Sequence, residues 1–101
     1  MIIPDKIKIG GHQYTVELVP EIEREILGRV THSSAKILLK NAEGAFSILF
    51  STFLHEVIHS INFLYGPINL NHDESINRLA EALYQIFVDN PEIFKGEGIV
   101  I

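Results

Sequence analysis

The stretch His55-Glu56-Val57-Ile58-His59 sits inside an unbroken helical pattern, and the rest of the chain is organised around it. From Phe46 to Leu64, the residues Phe46, Phe50, Phe53, Val57, Ile61 and Leu64 recur at three- and four-residue intervals and mark one apolar stripe. His55 and His59 are four apart, so they stack on one helical face. That face lies roughly opposite the stripe and also carries Ser51, Thr52 and Asn62. The flanking Ile48, Leu54, Ile58 and Phe63 predict a helix covered on nearly all sides, where an unpaired polar group is costly. Two imidazoles so placed can share one tetrahedral metal ion. Glu56 beside them is positioned to take a proton from a water on that ion. The competing reading is a chance match in a chain fairly rich in His and Glu. The apolar neighbours argue against it, because histidines that only decorate a surface keep company with Lys, Arg and Glu.

Composition narrows the chemistry. The 101 residues predict one small domain, and 47% hydrophobic content is enough for a core and too much for a disordered chain. There is no cysteine, so a disulfide framework and a Cys-type zinc site are both excluded. A zinc ion (Zn2+) would have to be held by His and carboxylates, which favours a catalytic over a structural site. Eight basic against 13 acidic residues give a formal charge of −5, which argues against a nucleic-acid surface. Met1-Ile2-Ile3-Pro4-Asp5 lacks the charged start and apolar run of a signal peptide, and no stretch has the length of a membrane span. The expectation is a soluble cytoplasmic protein.

Taken in order, Lys6-Ile7-Lys8-Ile9 and His12 to Leu18 alternate polar and apolar residues around Gly10-Gly11, which predicts a hairpin. Glu21 to Leu27 has the makings of a short helical turn, closed by Gly28. Arg29 to Thr31 and Lys36 to Lys40 read as two further strands around His32-Ser33-Ser34, and His32 reads as a loop residue rather than a ligand. Lysines at both ends of Lys36-Ile37-Leu38-Leu39-Lys40 suit a guarded edge strand, to which an extended peptide could add. The motif helix stops at Gly66-Pro67, and a short loop brings a second helix back against it, opening at His72-Asp73-Glu74-Ser75. Ile76, Leu79, Ala80, Leu83 and Phe87 form its expected core stripe, and Asp89-Asn90-Pro91 ends it. The tail from Glu92 adds a strand or docks through its apolar residues. The fold class predicted is α+β: a small antiparallel or mixed sheet of three to five strands packed on two antiparallel helices.

A catalytic zinc needs a third protein ligand, with water in the fourth position. The second helix offers Asp73, Glu74 and Glu81. Glu81 lies away from the stripe. Asp73 points nearer it but is short and suited to capping, whereas Glu74 has the longer reach, so geometry leaves these two about even.

His55-Glu56-x-x-His59, a glycine-ended helix, and then Asn71-His72-Asp73-Glu74-Ser75-Ile76-Asn77-Arg78-Leu79-Ala80 resemble the small phage and prophage zincin metallopeptidases, distant relatives of the ImmA/IrrE group. The Ile3-Pro4-x-Lys6-Ile7-x-Ile9-Gly10-Gly11 opening, Leu83-Tyr84-Gln85 and Asp89-Asn90-Pro91 also look like that family, so the resemblance spans nearly the whole chain. It implies a zinc ion held by His55, His59 and Glu74, a peptide or protein substrate, and residence in a bacterial host cell. The activity expected is peptide-bond hydrolysis through a zinc-activated water with Glu56 as general base. Tyr65, His72 and Tyr84 are candidates to stabilise the oxyanion. The rival is a catalytically idle, zinc-stabilised protein-binding module, and Glu56 discriminates, because a structural site has no use for an adjacent base. A zinc-sensing transcription factor is disfavoured by the acidic charge and the lack of a recognition helix.

Overall fold

The computed structural model describes residues 2–23, 26–41 and 46–95, with the backbone but not the side chain of Ile76. Four strands, β1 (Lys6–Ile9), β2 (His12–Val19), β3 (Gly28–Thr31) and β4 (Lys36–Lys40), precede two helices, α1 (Phe46–Tyr65) and α2 (Asp73–Asp89), and a 3-10 turn at Pro91–Phe94. The α+β class is as the sequence predicts. No helix among the described residues is long and apolar enough to cross a membrane.

The hairpin forms as expected. Ile9 faces His12 across a two-residue turn in which Gly10 and Gly11 have φ of 57° and 82°, the left-handed pair that a type I′ turn requires. Strand order is β1-β2-β4-β3, with β4 parallel to β2 and antiparallel to β3. This corrects the edge-strand reading of Lys36–Lys40: β4 is interior and β3 is the edge. Its apolar centre decides the matter, for Ile37 and Leu39 are both fully buried, while Lys36 and Lys40 stand at the strand ends where their heads reach water. No helix forms between Glu21 and Leu27 in the part described, and residues 24, 25 and 96–101 lie outside it, including the tail residues Ile99, Val100 and Ile101.

Helix α1 lays Leu49, Phe50, Phe53, Val57 and Ile61 over Ile7, Ile9, Tyr14, Ile37 and Leu39 of the sheet. The predicted stripe is therefore the buried one, with Glu56 and Ser60 added to it. The outer face is not covered: Ile48, Ile58 and Phe63 are 50%, 47% and 60% exposed, which overturns the expectation of a helix enclosed on nearly all sides. Helix α2 packs chiefly on β1, and of its expected stripe Leu79 and Leu83 pack against the core. Ser75, Ala82 and Ile86 are buried, with Leu79 and Leu83 half-buried, whereas Ala80 and Phe87 face outward.

The β1 edge is closed by a side chain. In β1 the outward-facing backbone belongs to Lys8, whose N–H donates to Asn90 Oδ1 at 2.9 Å and whose carbonyl accepts from Asn90 Nδ2 at 3.1 Å. Asn90 Nδ2 also donates to Ile86 O at 2.7 Å, so one buried amide both ends α2 and imitates a fifth strand. Asn90→Ala orphans both the N–H and the C=O of Lys8, while Ile86 O keeps its bond from the backbone N–H of residue 90. We expect a loss of about 2 kcal/mol and a fall in Tm of roughly 10 °C, read by thermal unfolding; a change under about 2 °C would refute this account.

Candidate metal centre and cleft

On α1 the four-residue spacing does what the helix geometry demands. His55 and His59 are exposed, their Nε2 atoms lie 3.0 Å apart, and their rings meet at 75°. The two nitrogens are close enough to share a proton or a metal ion, with the donor and acceptor roles set by the tautomers. Two nitrogens on one tetrahedral zinc stand about 3.3 Å apart, given Zn–N bonds of about 2.05 Å. The pair therefore fits two ligand positions after a shift of a few tenths of an ångström.

Glu56 turns the other way, toward β3, and is only 5% exposed. Its helical position explains this: it follows Leu49 and Phe53 on the inner face and precedes Ser60, whose hydroxyl donates to Glu56 O at 3.0 Å. Room for the carboxylate comes from Gly28, where a Cβ would stand 3.1 Å from Glu56 Oε2. Among the described residues the sole ion pair joins Lys36 to Glu17, so Glu56 has no ion-pair partner among them. A buried carboxylate without a counter-charge is costly. A cation held by the neighbouring imidazoles would supply one.

Two lobes of one cleft meet at Gly28, His55 and Glu56. The first, about 370 Å³, is walled by Ile26, Leu27, Ser51 and Thr52. The second, about 340 Å³, is walled by Arg29, Val30, His32 and His59. Above the cleft runs the outer edge of β3, with which no other strand among the described residues pairs. Lys40 N donates to Leu27 O at 2.8 Å, which marks Leu27 and Lys40 as a hydrogen-bonded pair. Because such pairs alternate in an antiparallel ladder, Arg29 and Thr31 bond to Leu38 and Lys36, and Gly28 and Val30 point their N–H and C=O outward.

The expected carboxylates are not gathered here. Asp73 and Glu74 are exposed in the first turn of α2, Glu81 is exposed further along, and no group of three His, Cys, Asp or Glu that could hold a metal exists among the described residues. The packing of α2 supplies a reason: β1, its main support, is three strand spacings, roughly 14 Å, from β3. Of the oxyanion candidates, Tyr84 is 69% exposed, His72 is the N-cap of α2, and Tyr65 leans on the Gly10 turn; none lines either lobe.

His32 lies in the turn after β3, as expected for a loop residue, but it also walls the cleft. Its ring stacks on Phe63 at 4.1 Å and 2°, and Nδ1 approaches the Tyr14 hydroxyl at 3.5 Å. Burial pushes the Tyr14 pKa up, against a smaller lowering by a hydrogen bond with Ser60, so the phenol stays neutral beside it. Phe63 follows His59 by one helical turn, which is why a histidine stacked on it arrives next to the motif. Nothing in the spacing of His32-Ser33-Ser34 announces that contact. Gly28, read from sequence as punctuation, likewise proves to be the floor against which Glu56 rests.

Comparison of the chain with family models, with curated proteins and with solved structures found no match.

Proposed function

We propose that this protein is a zinc-dependent peptidase, with His55, His59 and Glu74 as metal ligands and Glu56 as general base. The observation that carries this reading is two imidazole nitrogens 3.0 Å apart beside a buried carboxylate without an ion-pair partner among the described residues. Bound zinc supplies a Lewis acid and brings the pKa of water down to about 7. Glu56 takes the proton of the attacking water and returns it to the leaving amine, a role worth about 10²–10⁴ in rate. Gly28 and Val30 hold the substrate backbone by adding it to the sheet as a strand, since among the described residues theirs are the edge groups next to the histidines that no strand pairs. The cysteine-free donor set suits a reducing cytoplasm, where we place the protein.

Metal analysis tests the ligand set. The untagged protein should carry one zinc per chain, and His55→Ala and Glu74→Ala should each lose it. Loss with His55→Ala alone would remove Glu74 from the set. An untagged protein that holds no zinc even after reconstitution would overturn the reading and leave a binding module. That second reading draws on the distance of α2 from the β3 side of the sheet, and on an open strand edge able to capture a peptide without cutting it.

A further inference from the structure

The formal charge of −5 conceals an uneven distribution of charge over the sheet. Side chains alternate along a strand, and the buried ones show which side is which. Ile7, Ile9, Tyr14, Ile37 and Leu39 lie under the helices, and Gly28 faces Glu56 and Thr52 of α1. Lys6, Lys8, Arg29, Lys36 and Lys40 therefore project from the opposite face, four of them exposed and Lys40 half-buried. These are five of the eight lysines and arginines in the chain. Glu17 is the one carboxylate the strands place there, and its 3.8 Å contact with Lys36 shows that the two share the face. The face thus carries +4, in a chain whose remaining residues sum to −9. Exposed Gln13, Thr15 and Thr31 stand among the cations. Register orders them: Lys6 pairs with Thr15, Thr15 with Lys36 and Lys36 with Thr31. A row of alternating lysine and threonine so crosses all four strands, at about 4.8 Å a step. Both helices pack on the other side, and among the described residues no element covers this one.

We propose that this face holds the phosphate backbone of duplex nucleic acid without reading its sequence, independently of zinc and of the cleft. Lysines act on phosphates as point charges, and threonine hydroxyls and the glutamine amide donate to phosphate oxygens. Other anionic partners each need something the face lacks. Single strands are gripped by stacking on aromatic rings, and the only Phe, Tyr or Trp in the strands is Tyr14, buried on the other side. Membrane surfaces take apolar side chains as well as charge, and here only Leu38 and Val19 are apolar, both half-buried. Protein carboxylates suit the fork of arginine, and four of the five cations are lysines. The exposed Asp73, Glu74 and Glu81 of α2 stand on the far side of the sheet, where salt screens them; the Debye length is about 10 Å at 0.1 M.

The test titrates the full chain into a fluorescein-labelled DNA duplex of roughly 20 base pairs and mixed sequence, read by fluorescence anisotropy in about 50 to 200 mM NaCl. Neutralising about four phosphates predicts a slope of about −3.6 in log K against log salt, or roughly a 10²-fold loss of affinity over that range. Lys6→Glu should weaken binding at the lowest salt by about tenfold. Lys95→Glu makes the same change in charge at an exposed position outside the sheet, and should stay within about twofold of the parent. Glu17→Gln removes the one opposing charge and should strengthen binding by about threefold, a gain that misfolding cannot produce. No binding at the lowest salt, a slope shallower than about −2, no gain from Glu17→Gln, or Lys95→Glu as damaging as Lys6→Glu would each overturn the proposal. So would tighter binding to a single strand of equal length, to phosphatidylserine vesicles or to polyglutamate.

Discussion

Glu56→Gln is expected to retain zinc, keep its fold and lose hydrolysis by at least 10²-fold. Glutamine has nearly the volume of glutamate, so the space beside Gly28 stays filled and the inner face of α1 keeps its packing. The amide cannot accept the proton of the attacking water at neutral pH, and general-base catalysis contributes about 10²–10⁴. Removing a buried negative charge also lifts a desolvation penalty, so thermal stability should hold or rise in the metal-free protein. The decisive measurements are zinc stoichiometry and single-turnover cleavage of a peptide mixture. Activity within tenfold of the parent would exclude Glu56 as the base. Loss of zinc would instead make Glu56 part of the metal site.

Gly28→Ala is the second large effect, and it separates placement of the base from its chemistry. The new methyl would stand 2.8 Å from Thr52 Cγ2, 3.1 Å from Glu56 Oε2 and 3.3 Å from Glu56 Cγ. Thr52 cannot swing aside freely, because its hydroxyl donates to Ile48 O at 2.8 Å. The carboxylate is the part that gives way. The Glu56 contacts ask for a shift of a few tenths of an ångström, less than the roughly 1 Å that lowers a rate about 10²-fold, so the expected loss is about tenfold, and overpacking of this kind costs about 1–3 kcal/mol in stability. Neither imidazole is among the atoms approached, so zinc binding should be unchanged. Glycine's backbone freedom plays no part here. Activity within threefold of the parent would show that Glu56 does not work from the position it holds beside β3.

Much of this architecture was legible in the residues themselves. The alternation on both sides of Gly10-Gly11 wrote the hairpin, and the stripe from Phe46 to Leu64 wrote α1 and the face it buries. The histidine pair followed from a spacing of four, because backbone helicity alone brings such side chains together. These features depend on neighbours close in the chain, and local geometry suffices for them.

Long-range pairing was not legible. Lys36-Ile37-Leu38-Leu39-Lys40 looks the same whether its lysines guard an edge or cap the ends of an interior strand, and only insertion between β2 and β3 decides. The inward face of α2 was legible only in part: Leu79 and Leu83 pack on the core as expected, while resting on β1 makes Ala82 and Ile86 its most buried apolar residues. His32 and Gly28 reach the motif helix through contacts across 31 and 28 residues of chain, with Phe63 stacked on one and Glu56 pressed against the other. The sequence by itself determined the elements and the pairing of His55 with His59, since both are set within a few helical turns. The tertiary structure alone decided which strand lies at the edge of the described sheet, which side chains wall the cleft, and which strand supports α2. Those depend on packing free energy summed over the whole chain, which no local pattern encodes.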